Sequence, residues 1–122
     1  MARVLFALAA LYNLAFAVWA GLWPDRVFAV LGVAPPWPAF VTRMMAASIA
    51  AFGIAYAYAV KRPQRARWIA AAGLAAKILP PLAWIVAVAS GAWPLRTGVL
   101  ILLDDVVWWI PFAIYLRSRI VA

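Results

Sequence analysis

Asp104 and Asp105 stand side by side in the run ILLDDVVWWIPF, and they are two of only three acids in a chain of 122 residues. Paired carboxylates whose surroundings drive their pKa values apart can act as acid and base. Two bare carboxylates this close would not both stay ionised in an apolar setting, so the pair calls for cations. Lys77, in AAKILPPLAW, and Arg43, in FVTRMMAAS, are the candidates. Asn13 adds an amide, and Trp84, Trp108 and Trp109 add indoles whose N–H groups need acceptors wherever water is excluded. The candidate site is therefore Asn13, Arg43, Lys77, Trp84, Asp104, Asp105, Trp108 and Trp109, with Asp104, Asp105 and Lys77 as the groups able to catalyse. The chain has no histidine and no cysteine. That removes the commonest general base and metal ligand, together with thiol chemistry, and no metal site is expected. No glycine-rich phosphate loop or nucleophile–base motif is present, and no cofactor is specified.

These groups must be held by elements suited to lipid. The composition is 70% hydrophobic, against roughly 45–50% apolar in ordinary soluble domains, with a mean hydropathy of +1.02. So short a chain cannot hide that excess inside itself. Spanning a bilayer takes roughly 20 mostly apolar residues, and four stretches qualify, about 3–22, 40–60, 68–89 and 97–116. They predict one all-α membrane domain over 1–122, a four-transmembrane-helix up-down bundle. The first stretch carries Val18-Trp19-Ala20, which loosely resembles a signal-peptide cleavage site. Its apolar run exceeds the usual length of such a segment and only Arg3 precedes it, so it is read as a span.

The net charge of +8 does not point to nucleic acid, because the basic residues gather at the ends of apolar runs. Arg3, Lys61, Arg62, Arg65, Arg67, Arg117 and Arg119 fall on one side of an even-numbered bundle, and Arg26, Arg96 and Arg43 on the other. By the positive-inside rule both termini are expected in the cytoplasm, with anionic lipid headgroups as default partners. The loop PDRVFAVLGV predicts a short interfacial helix, with Asp25 as its cap, Gly32 at its end and one oily side. Tyr56 and Tyr58 read as cytoplasmic-leaflet aromatics. Trp19, Trp23, Trp37, Trp68 and Trp93, near the ends of the runs, read as interface anchors.

Depth connects the polar residues. Counted from the cytoplasmic ends at roughly 1.5 Å per residue, Asn13, Lys77, Asp105 and Asp104 all lie near mid-membrane, while Arg43 sits in the first outer turn of its helix. Lys77 is expected to pair with one carboxylate and Arg43 with the other, with Asn13 donating to whichever is under-satisfied. Pro80 and Pro81 free the carbonyls of Ala76 and Lys77, and Pro111 frees that of Val107. Irregular backbone at such depth is tolerated where it lines a cavity or is buried in protein. An ionisable group in a span is by default functional, yet the same cluster could simply fasten helices together.

The whole arrangement resembles small bacterial four-helix membrane proteins of the DoxX-like kind. The likeness rests on four short spans, GLWPDRVFAVLGV after the first, an arginine early in the second, and DDVVWWIPF in the fourth. It implies a multi-pass protein of the bacterial inner membrane and, for some members, a subunit role in quinone-linked redox systems. The cysteine motifs of some redox members are absent here, and no catalytic residue carries over. Three functions follow as expectations. One is binding of a hydrophobic small molecule (lipid, quinone or isoprenoid), alone or as an accessory subunit of a homo-oligomer or larger membrane complex. The second is acid–base catalysis by Asp104 and Asp105 on a lipid-like substrate. The third is proton or ion translocation by an oligomer.

Overall fold

The structure is a computed structural model that describes residues 2–121, excluding the side chains of 100, 101, 103, 104 and 118–121. Among the described residues it is helical throughout, with no strand. The order is α1 (Ala2–Leu22), α2 (Pro24–Leu31), α3 (Ala39–Lys61), a 3-10 turn (Pro63–Arg65), α4 (Arg67–Ala89), a second 3-10 turn (Leu95–Thr97), α5 (Gly98–Ile101), a π turn (Leu102–Val106) and α6 (Val107–Val121). Three helices, α1, α3 and α4, are long and apolar enough to cross a membrane. They match three of the four expected stretches to within a residue at each end. The fourth stretch is not one helix: the π turn divides α5 from α6. Two compact units divide the chain, Met1–Arg65 and Ala66–Ala122.

In the first unit α1 packs along α3. The contact is built mainly from small residues that recur along one face of each helix. Ala9, Ala10, Asn13, Ala17 and Ala20 are buried on α1, and Thr42, Ala46, Gly53, Tyr56 and Ala59 on α3. Small side chains let backbones approach closely, which matters where lipid removes the hydrophobic drive between helices. The approach is tightest at Gly53, where a methyl group would lie 2.8 Å from Leu14 Cγ and 3.3 Å from Asn13 Cβ. Near the cytoplasmic end expected for both helices, the rings of Phe6 and Tyr56 lie 6.4 Å apart and both side chains are buried. Tyr56 is thus a packing residue inside the first unit, whereas Tyr58 is exposed.

The short helix α2 forms where PDRVFAVLGV predicted it. Its cap is Trp23 and not Asp25, and Trp23 makes no side-chain cap bond. Pro24, which lacks an N–H, suits the first helical position and so moves the start ahead of Asp25. Asp25 remains in the first turn, where its charge suits the helix dipole. Gly32 ends the helix in the left-handed conformation (φ 72°), and Val33 N–H returns to Phe28 O at 3.1 Å, the paired closure that a glycine at this position permits. Val27, Phe28 and Leu31 are buried against the unit while Val30 is exposed. Phe28 meets Trp37 edge to face at 5.8 Å, and Trp37 Nε1 donates to Thr42 Oγ1 at 2.9 Å. This chain of contacts ties α2 to the start of α3.

In the second unit α4 packs against the π turn and α6. The buried face of α4 carries Ala70, Gly73, Lys77 and Pro81, at spacings of three and four. Both prolines lie inside α4, which remains one helix from Arg67 to Ala89. Phe112 and Tyr115 are the buried aromatics of α6.

Candidate functional site

The second unit brings together most of the candidate residues. Lys77 and Asp105 are both buried, at 6% and 3% exposure. That is far below what a chain of this length shows for ionisable side chains unless they are partnered. Lys77 gains its burial from its place on the packed face of α4, in register with Gly73 and Pro81. Asp105 gains its burial from the π turn, which packs on α4. The Lys77 ammonium lies 5.7 Å from the centre of the Trp108 ring, within the range of a cation–π attraction. The backbone of Asp104 lies in the same π turn; its side chain is outside the described residues.

The proline effect anticipated from the sequence has a specific outcome here. Pro81 cannot donate to the carbonyl of Lys77 four residues earlier. Trp109 Nε1 donates to that carbonyl instead, at 3.0 Å. One local rule removes a donor from α4, and an indole from α6 supplies it. The helix continues through the two prolines, and the Lys77 carbonyl and the Trp109 N–H satisfy each other.

The π turn alters the spacing of the aspartates and tryptophans. A π turn closes i→i+5 bonds and so inserts about one residue into the helix. An extra residue rotates everything after it by about 100° relative to an unbroken α-helix. Asp105 and Trp109 are therefore not simply one α-turn apart. Single π turns inside helices occur frequently at functional sites.

Beside this group lies an apolar recess of about 410 Å³, within the range of small-molecule pockets. Pro81, Trp84 and Ile85 of α4 form one wall. Leu95, Gly98, Leu102, Val106 and Trp109 form the other. Trp84 is pinned: its Nε1 donates to Thr97 Oγ1 at 2.8 Å, and Thr97 Oγ1 donates in turn to Pro94 O at 2.8 Å. Thr97 is almost fully buried. Gly98 lets the indole approach the backbone closely, since a methyl group there would fall 2.6 Å from Trp84 Cζ2. Neither Thr97 nor Gly98 stood out in the sequence. The only available signal was a polar, small pair at the start of an apolar run, which many helix starts share.

Asn13 and Arg43 belong to the first unit. Asn13 is buried at 4% exposure, and its Nδ2 donates to Ile49 O at 3.3 Å, across the α1–α3 contact. Among the described residues no donor reaches Asn13 Oδ1. Arg43 is exposed, and its Nε donates to Gly21 O at 3.1 Å. It thus satisfies a carbonyl in the last turn of α1, where a cation also suits the helix dipole. The sequence suggested a carboxylate partner for Arg43 and gave no hint of this cap.

No family model matches the chain, and no curated protein or solved structure matches it either. The reading of the site rests on its own geometry.

Proposed function

We propose that this chain is a small multi-pass membrane protein whose second unit binds a hydrophobic small molecule (a lipid, quinone or isoprenoid), on its own or as an accessory subunit. One observation carries the reading: an apolar recess of about 410 Å³ adjoins a helix whose packed face holds a buried lysine. Ligand sites of this size are lined predominantly by apolar and aromatic side chains, as this recess is. In this reading residues 97–116 form a fourth span, α5, the π turn and α6 crossing together, and the four spans run up and down. Both termini face the cytoplasm of a bacterial inner membrane, as the Lys and Arg distribution indicates. The DoxX-like resemblance is part of the same proposal and is consistent with an accessory role. Lys77 compensates Asp105 and fixes the π turn against α4.

Native mass spectrometry of the gently purified chain tests this. The expected result is one hydrophobic molecule retained per chain, lost when the recess is filled by Leu102→Trp in a variant of unchanged helicity. A clean ligand-free mass for the wild type would overturn it.

The π turn favours a second reading, in which Asp104 and Asp105 exchange protons with a lipid-like substrate. Asp104→Asn and Asp105→Asn variants that fold normally should then lose turnover of that substrate. Unchanged turnover removes catalysis from consideration.

A further inference from the structure

Each of the two units is built on helices packed along each other, α1 with α3 in the first and α4 with the π turn and α6 in the second. The residues buried on the leading helix fall in one rhythm in both. They are Phe6, Ala9, Asn13 and Ala17 on α1, and Ala70, Gly73, Lys77 and Pro81 on α4, with steps of three, four and four. The third residue of each series is the polar one, Asn13 or Lys77. Each leading helix then runs out into the pattern Gly-x-Trp-Pro-x-Arg, GLWPDR at 21–26 and GAWPLR at 91–96. The connections that follow differ. The first holds α2, and α4 runs about one turn further past Lys77 than α1 does past Asn13.

The returning helices match as well. Each opens near a buried threonine whose hydroxyl takes an indole N–H, Thr42 from Trp37 at 2.9 Å and Thr97 from Trp84 at 2.8 Å. The donors come from different places, so the threonine is the matched feature. Each returning helix later buries an aromatic ring and the residue three beyond it, Tyr56 and Ala59 or Phe112 and Tyr115. Tyr56 stands fourteen residues after Thr42, and Phe112 stands fifteen after Thr97. One extra residue is what a π turn inserts into a helix, and the π turn Leu102–Val106 lies between Thr97 and Phe112.

Counting back from the two rings aligns the site. Asp105 stands seven residues before Phe112, as Ile49 stands seven before Tyr56. Ile49 is the residue whose carbonyl takes the Asn13 amide at 3.3 Å. At matching positions the first unit therefore has a neutral amide–carbonyl contact, and the second buries an ammonium and a carboxylate. Trp109 stands three before its ring, as Gly53 does. Gly53 lets α1 and α3 close on each other, whereas Trp109 lines the recess.

We propose that the two units are copies of one helical hairpin, the first a closed, neutral scaffold and the second carrying the ligand site through Lys77, Asp105 and Trp109. Lys77 and Asp105 are not fasteners. The first copy holds the same contact without charge, and a buried ion pair commonly adds no stability over a neutral, packed contact. Two lining residues adjoin them, Pro81 one turn beyond Lys77 and Val106 next to Asp105. The copy relation is independent of any ligand, whereas the assignment of Lys77 and Asp105 to the site rests on the hydrophobic-ligand reading.

The test combines thermal unfolding in detergent with native mass spectrometry of the full chain, delipidated and then incubated with a bacterial total lipid extract. Lys77→Asn with Asp105→Ile gives the second unit the first unit's residues. Its unfolding midpoint should equal or exceed that of the wild type, and Lys77→Asn alone should melt lower. Conversely, Asn13→Lys alone should lower the midpoint, and adding Ile49→Asp should recover part of the loss, because matched positions let the two charges meet. The adduct that the wild type takes from the extract should be lost from Lys77→Asn/Asp105→Ile and kept by Asn13→Ala, with helicity unchanged in both. A Lys77→Asn/Asp105→Ile variant that melts as low as Lys77→Asn alone makes the charges fasteners and overturns the proposal. No recovery from Ile49→Asp overturns the copy relation. An adduct retained by the folded Lys77→Asn/Asp105→Ile variant takes the two residues out of the site and overturns their assignment. A wild type that takes nothing from the extract ends the ligand reading and the site assignment with it, and leaves the copy relation to be decided by the two unfolding comparisons.

Discussion

Lys77 contributes two separate things, its ammonium and its carbonyl, and each predicts a different consequence of substitution. The ammonium is buried beside the Trp108 ring in the unit that also buries Asp105. If Lys77 compensates Asp105 as proposed, removing the ammonium leaves the buried carboxylate uncompensated, at a cost of roughly 3–5 kcal/mol. Lys77→Met should therefore unfold at a clearly lower temperature in detergent, and adding Asp105→Asn should restore much of the loss. A Lys77→Met variant as stable as wild type would show that Asp105 does not depend on Lys77. The carbonyl depends on Trp109, because Pro81 has no donor for it. Trp109→Phe keeps most of the ring volume and deletes the N–H, so it should cost about 1–3 kcal/mol by the same measurement. Arg62→Gln, on an exposed residue between α3 and the first 3-10 turn, should cost almost nothing. The chemical types buried in the helices were readable from the sequence because charge and amide groups stand out against apolar runs. Which of Trp109's possible acceptors it would use was not readable, since it depends on where α6 sits across α4.

At the scale of elements, two glycines set how closely helices or side chains pack. Gly53→Leu would force its side chain into Leu14 and the Asn13 Cβ, separating α1 from α3 and breaking the Asn13–Ile49 bond. Overpacking of this kind costs about 1–3 kcal/mol, and the variant should show it as a lower midpoint of thermal unfolding. Gly98 has a different neighbour: a rigid indole 2.6 Å from where its methyl would be. Gly98→Ala should displace Trp84 from Thr97 and reduce retention of any ligand in the recess, read as lost adduct in native mass spectrometry with helicity unchanged. The long helices were legible because apolar length alone dictates them. The π turn was not. Inserting one residue into a helical repeat leaves composition untouched and blurs a periodicity that is already weak in a segment apolar on all sides. The short helix α2 was legible from Pro24 and Gly32, whereas its cap lies at Trp23, ahead of Pro24, and not at Asp25.

For the whole molecule, the distribution of charge predicts the path of the chain through the bilayer. Gln64 lies in the turn between α3 and α4, and Ser90 caps the other end of α4. Because the protein has no cysteine, Gln64→Cys and Ser90→Cys each introduce a single thiol. In intact bacterial cells a membrane-impermeant maleimide should label Ser90→Cys and leave Gln64→Cys unlabelled until the cells are opened. Labelling of both from outside, or the reverse pattern, would refute the orientation. The sequence by itself determined that this is a helical chain made for lipid, where three of its long helices begin and end, and which few residues carry charge into them. Those properties follow from local composition, since backbone groups in an apolar medium must bond within their own helix. Tertiary structure alone decided that Pro81's missing donor is replaced by Trp109, that Arg43 caps α1, and that Tyr56 is interior. It also decided that Trp84, Thr97 and Gly98 shape a recess. Each of these depends on which face of one helix meets another, and in segments apolar all round the sequence pattern leaves that choice open.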